Sequence, residues 1–243
     1  MMPAGAGSKT GTERRWIMPP RTLEKIIDEQ IRKWEITRAK EAKEEATIPV
    51  ITLSREPGSG GRIIAEKLAK ELGLDLFHQD IVQKMAESAR TSARLLQTLD
   101  EKGLSVLEDW IATLVHERHL WPDQYLRHLM KVIGAIGRHG QAVIIGRGAN
   151  FILPPQGQLK IRIVAPLEVR VQNVIRTFGA SHEDAMRRVL KTESERRAFI
   201  RKYFHADIAS SANYDLVINT GRLSIDAAVG AVIGALERQK GFS

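Results

Sequence analysis

Residues 49–73, PVITLSREPGSGGRIIAEKLAKELG, constrain the fold most, because a short apolar run there meets a glycine-rich turn that opens a helix. Val50, Ile51, Thr52 and Leu53 suit a buried strand, while Ile63, Ile64, Leu68 and Leu72 recur at helical spacing up to Gly73, a C-cap residue. Between them, Gly58, Ser59, Gly60 and Gly61 supply a turn free of Cβ clashes. Such a unit is an anion site: backbone N–H groups at a helix N-terminus point at the ligand, and the helix dipole favours negative charge. Gly58, Ser59, Gly60, Gly61 and Arg62 are therefore the expected phosphate-binding residues.

The nucleotide-phosphate pattern GxxxxGK[ST] is not met. Aligned on its second glycine, Gly61 takes the lysine position, Arg62 the hydroxyl position and Arg55 the position of the first glycine. Arg62 is the expected substitute for the missing lysine, as a planar fork rather than a compact ammonium.

At 243 residues the chain has room for one main domain plus an extension. It has no cysteine, which excludes disulfides, thiolate catalysis and cysteine metal sites in this sequence. The first sixteen residues lack an apolar signal core and no apolar run suits a bilayer span, so a cytoplasmic protein without a membrane partner is expected. The net charge of +8 is concentrated: between Arg187 and Lys202 seven basic residues face Glu193 and Glu195. That excess implies an anionic partner. Aromatic interleaving and RNA- or zinc-binding signatures are missing, which argues for a polyphosphate ligand over nucleic acid.

Residues 1–20 read as a mobile tail. From Thr22, an N-cap candidate, Leu23, Ile26, Ile27, Ile31 and Trp34 form an apolar stripe on a charged helix reaching about Ala46. Docking on its own domain is the favoured reading of that stripe, with homodimerisation through the helix as the alternative. Leu74–Phe77 reads as a strand, and Asp80 just past it as either a substrate-binding carboxylate or a helix cap. Residues 81–140 read as a helical insertion, with His116 and His119 on a solvated face and no metal site. Ala142–Ile145 is a strand ending in Gly146-Arg147-Gly148, which places Arg147 to reach a phosphate. A strand over Leu159–Ala165, a helix over Leu167–Phe178, a basic helix to about Phe204, a strand over Tyr214–Asn219 and a helix over Ser224–Leu236 complete an α/β chain with a parallel sheet.

Taken together, PVITLSREPGSGG, AVIIGRGANFIL, LKIRIVAPLEVRV and NYDLVINTGRLSI resemble the cytidylate kinase-like family, a nucleoside monophosphate kinase branch of the P-loop NTPase fold. The resemblance covers about residues 48–239, leaving 1–47 as an N-terminal extension. It implies a three-layer α/β/α fold with a helical insertion and a basic helical lid, and ATP with Mg2+ held mainly by phosphates and water. It places Arg147 on the acceptor phosphate and makes the Arg187–Lys202 stretch the lid, with Arg196, Arg197 and Lys191 as its candidates. With the residue reading of Arg62 and Asp80 added, the expected catalytic cations are Arg62, Arg196 and Arg197, and the expected further substrate contacts Asp80 and Lys191. The family pattern departs here at Gly61 and Arg62, at Gly148, where an acidic residue follows the Gly-Arg pair, and at His78, where an aspartate is usual.

Two functions follow as expectations. One is transfer of the ATP γ-phosphoryl group to CMP or a similar nucleoside monophosphate; the alternative is a non-catalytic nucleotide sensor acting through the N-terminal helix. Nucleic-acid binding comes third, because its charge sits in one helix without a recognition motif.

Overall fold

The apolar run is β1 (Val50–Arg55), and it is the middle strand of the sheet. With β2 (Asp75–Phe77), β3 (Ala142–Ile145), β4 (Gln158–Val164) and β5 (Leu216–Asn219) it forms a five-stranded, all-parallel sheet in the order β2-β3-β1-β4-β5. The structure is a computed structural model that describes residues 20–40 and 50–239. Residues 1–19 of the expected tail, the expected helical stretch beyond residue 40 and the proposed boundary at 47/48 lie outside the described residues, as do the side chains of Thr22 and Leu23; Pro20, expected in the tail, is helical.

Alternation along the strands sends side chains to two layers. Ile51 and Leu53 face α2 (Gly61–Leu72) and α10 (Ile225–Gln239), where they pack with Ile64, Leu68, Val229 and Val232. Val50, Phe77, Ala142 and Ile144 face the other way. There they meet α3 (Gln79–Glu87), α4 (Ala89–Gln97), α5 (Glu101–Glu117), α6 (Gln124–His139) and the short α7 (Ala149–Ile152). The expected helical insertion is thus the second covering layer of the sheet, because Leu129, Met130 and Ile133 of α6 share one core with strand residues. The two helical layers and the sheet make a three-layer α/β/α arrangement, and none of the described helices is long and apolar enough to cross a membrane.

α8 (Leu167–Phe178) and α9 (His182–Phe204) pair through a small core of Val171, Val174, Ala185 and Val189. Gly179 ends α8 in the left-handed region and Ser181 caps α9 by accepting from the Asp184 N–H. Ile200 and Phe204 at the far end of α9 join the main core. The basic helix is therefore anchored at both ends. A 3-10 turn over Ser211–Asn213 precedes β5, and just before β5 Asp215 ties to Lys160 twice, its N–H donating to the Lys160 carbonyl and its carboxylate accepting from the Lys160 N–H.

α1 (Pro20–Lys40) docks on its own domain. Ile27, Ile31 and Trp34 are buried in the main core, and Trp34 stacks on His139 with ring centroids 4.2 Å apart and on Phe77 at 5.8 Å. Gln30 and Lys33 bind the Asp75 carboxylate at the head of β2, and Arg94 binds Asp28. Three members of the apolar stripe, Ile27, Ile31 and Trp34, thus pack on the chain's own core, as the favoured docking reading expects. Trp34→Ala is expected to cost about 3 kcal/mol, the low end for a buried tryptophan. Urea unfolding followed by far-UV circular dichroism checks this; an unchanged midpoint would show that α1 contributes nothing to the fold.

Candidate functional site

The chain leaves β1 at Arg55, turns through Glu56-Pro57-Gly58-Ser59-Gly60 and enters α2 at Gly61. Gly58 and Gly60 have φ values of 79° and 77°. A Cβ on Gly58 would also strike the backbone carbonyl of Arg170, so glycine is what allows α8 to lie against the loop. The Gly58 carbonyl accepts from Asn173 Nδ2 at 2.7 Å and the Ser59 carbonyl from Thr220 Oγ1 at 2.8 Å. In a trans peptide the N–H points opposite to the C=O, so the second bond turns the Gly60 amide away from Thr220, whereas the Ser59 N–H is spent on the Glu56 carbonyl at 3.3 Å.

The Ser59 hydroxyl is spent inside the loop, donating to the carbonyls of Glu56 at 2.9 Å and Ile163 at 3.3 Å. Arg62 lies on the outer face of α2, its side chain 69% exposed and its Nε donating to Glu66 at 2.8 Å. The loop cation expected at Arg62 is therefore not aimed at the loop.

The cation that is present is Arg55. It lines a cavity of about 210 Å³ between the C-terminal ends of β1 and β3 and the helix α9, together with Gln79, Arg147, Asn150, Arg196 and Phe199. Arg55 Nη2 donates to Gln79 Oε1 at 2.7 Å, and Arg196 Nη1 donates to the Arg55 carbonyl at 2.8 Å. Arg147 sits in a left-handed turn with φ 54° between Gly146 and Gly148 at 75° and 70°. A non-glycine residue there costs about 1 kcal/mol or more, a strain of the kind stored at functional positions. The flanking glycines serve packing: Gly146 gives room to the Arg55 guanidinium and Gly148 lies under the Phe204 ring. Arg147 Nη2 donates to Gln83 Oε1, and the guanidinium lies over Phe199, 5.6 Å from the ring centroid. Arg147 Nε and Asn150 Nδ2 are buried donors without a protein partner.

Burial, then the charge of Arg196, pulls the Arg55 pKa well below its ordinary value, with Asp80 acting in the opposite direction. Arg196 is lowered to about 10 by burial, then by Arg147 and Arg162. A guanidinium keeps its proton in a protein, so the cavity carries crowded positive charge that an anion relieves.

A second set of charges ties the loop to the paired helices. Glu56 accepts from the Ala165 N–H at 3.0 Å and lies 3.7 Å from Arg162 and 3.4 Å from Arg170, both almost fully buried. Arg170 continues to Glu193 at 2.9 Å, and Glu193 to Arg197 at 3.0 Å. Arg162 Nη1 also donates to Ser54, which accepts from the Tyr214 hydroxyl as well.

Of the expected site residues, the structure brings Arg147 and Arg196 together in the cavity. Arg197 points outward and pairs locally with Glu193, and Lys191 is exposed away from the cavity lining. Asp80 lies in the first turn of α3, whose N-cap is His78, and acts on Arg55 and Arg196 through its charge. Arg55, Gln79 and Asn150 were not among the expected site residues. The signals for two of them were in the sequence: Arg55 stands at a motif position, and Asn150 closes the Gly-Arg-Gly-Ala-Asn run. Among the described residues no group of three histidine, aspartate or glutamate side chains is placed to hold a metal ion.

A family model described as cytidylate kinase-like matches residues 50–222. A protein named cytidylate kinase from Ignicoccus hospitalis is 29% identical over 184 residues, 75% of this chain and 96% of that protein. One of the same name from Pyrococcus horikoshii is 27% identical over 188 residues, 77% of this chain and 88% of the relative. The crystal structure of an uncharacterized protein from Eubacterium ventriosum aligns with a TM-score of 0.62 at 21% identity, covering 78% of this chain and 98% of that one, which shows a shared fold.

Proposed function

This chain belongs to the cytidylate kinase-like family, and from that premise we propose that it transfers the γ-phosphoryl group of ATP to a nucleoside monophosphate, with CMP the first acceptor to test. The observation that carries the reading is the convergence of Arg55, Arg147 and Arg196 on one cavity at the C-terminal ends of β1 and β3. Phosphoryl transfer asks a protein for position and positive charge more than for covalent chemistry, and three guanidiniums supply that charge.

In this scheme the Gly60 amide and the N-terminus of α2 hold the ATP phosphates. Arg147 and the orphaned Asn150 amide hold the acceptor phosphate. An oxygen of that phosphate attacks the γ-phosphorus as the bond to the β-bridging oxygen breaks, giving ADP and the nucleoside diphosphate with no net proton transfer. Arg196, bonded to the Arg55 carbonyl, faces the charge in flight. The loop offers no free hydroxyl for Mg2+, since Ser59 is spent on carbonyls and Arg62 takes the usual hydroxyl position. Mg2+ enters as MgATP, held by phosphate oxygens and water.

That same lack of a hydroxyl favours a second reading, a nucleotide-binding sensor without turnover. Incubation with MgATP and a panel of nucleoside monophosphates, with the diphosphates quantified by chromatography, separates the two. Turnover is expected, and Arg147→Ala should raise the KM of the acceptor about 10–100-fold through loss of a charge-assisted hydrogen bond. ATP binding without turnover on any acceptor would leave the sensor.

A further inference from the structure

We propose that Arg55 supplies the phosphate-facing cation that a lysine supplies in the GxxxxGK[ST] pattern, reaching the transferring phosphoryl group from the opposite end of the loop. The proposal rests on the phosphotransferase reading above. Its starting point is steric. Gly61, at the lysine position, is buried, and a Cβ built there would lie 2.7 Å from Arg55 Cβ, 3.2 Å from its Cγ and 3.4 Å from Ile163 Cβ. The atoms in the way belong to the stem of Arg55 beside its own backbone, so no rotation at the far end clears them. A side chain at 61 and the present Arg55 exclude one another.

The same contact shows where Arg55 runs. Gly61 is the first residue of α2, so the Arg55 stem crosses the helix N-terminus, where amides and dipole already favour phosphate. Its guanidinium then reaches the acceptor side: Nη2 is fixed by Gln79 at 2.7 Å, and Nη1 lies 2.5 Å from where a Cβ on Gly146 would stand. One side chain therefore spans from the loop to the cavity that holds Arg147 and Arg196. Arg62 does not compete for this role, because its Nε is engaged by Glu66 on the outer face of the helix. Burial and the neighbouring arginines disfavour the charge on Arg55, so a phosphate oxygen placed against it gains more than it would against a solvated cation.

The motif itself provides the test. Replacing Arg55 by Gly, Gly61 by Lys and Arg62 by Ser turns residues 55–62 into GEPGSGKS, a full GxxxxGK[ST] loop, and removes the steric conflict that blocks a lysine at 61. Wild type, R55A, R55K, R62A, G61K and the triple variant would be compared by turnover with MgATP and CMP, by ATP and ADP affinities from calorimetry, and by Tm. R55A is expected to lower kcat/KM for ATP about 10²-fold and to erase the preference for ATP over ADP. R55K should recover part of both, and R62A should resemble wild type. G61K alone should lower Tm, while the triple variant should regain Tm and most of the activity that R55A loses.

A loss in R62A with R55A unaffected would overturn the proposal, as would a folded triple variant no better than R55A. If wild type turns over no acceptor, the phosphotransferase reading fails and the affinity ratio decides alone: a ratio near wild type in both R55A and R55K overturns the role of Arg55, and a collapsed one in R55A supports it. Wild type that binds no ATP overturns both.

Discussion

Arg196→Ala is expected to lower kcat about 10³-fold while the KM values for ATP and acceptor move far less. Arg196 touches the cavity from α9 and is held by the Arg55 carbonyl, so its guanidinium is positioned before any substrate arrives. An arginine that contributes mainly as charge moves between the acceptor and the leaving group changes kcat, whereas one that holds the ground-state phosphate, as proposed for Arg147, changes KM. Arg196→Lys should recover only part of the loss, since a point charge replaces a planar fork. Arg197→Ala is the built-in contrast: its pairing with Glu193 is half-exposed, and its removal should leave kcat nearly intact. Steady-state kinetics on the three variants check this, and equal losses at 196 and 197 would contradict the placement.

The largest stability effect is expected at Glu56. Glu56→Ala leaves Arg162 and Arg170 without the carboxylate between them, and both have side chains at most 7% exposed. Removing one partner from a buried charge network typically costs several kcal/mol, because the remaining cations are desolvated and unpaired; about 4 kcal/mol is expected here. Ser54 and Glu193 still bind the two arginines, which keeps the figure from rising further. Glu56→Gln should fall between, since it retains an acceptor for the Ala165 N–H. Urea denaturation gives the number, and a shift below about 1 kcal/mol, as for an exposed pair, would show that the network is solvated in solution.

Most of the fold was legible because local patterns dictate it. The strand at Ala142–Ile145 and the helix over Leu167–Phe178 appear where periodicity and caps place them. Arg196 and Arg197 could not be separated by periodicity: at about 100° per residue Arg197 falls only about 20° from the buried Phe204. Their tertiary contacts separate them, Arg196 with the Arg55 carbonyl and Arg197 with Glu193. Asp80 was legible as a residue near the site but not as to role, because a cap and a ligand look alike until the helix start is known; the start is at His78.

Arg55 and Arg62 mark the boundary between the two kinds of information. The sequence by itself determined that residues 50–73 form a strand, a glycine turn and a helix, that the turn suits phosphate and that the usual lysine is missing, because these depend on neighbours in the chain. It could not determine which arginine replaces that lysine. That was decided by the fold: the first turn of α2 directs Arg62 outward to Glu66, while strand alternation lays Arg55 across Gly61 toward Gln79 and Gly146. Gln79 and Gly146 lie 24 and 91 positions farther along the chain than Arg55, and the parallel pairing of β3 with both β1 and β2 brings them to one place.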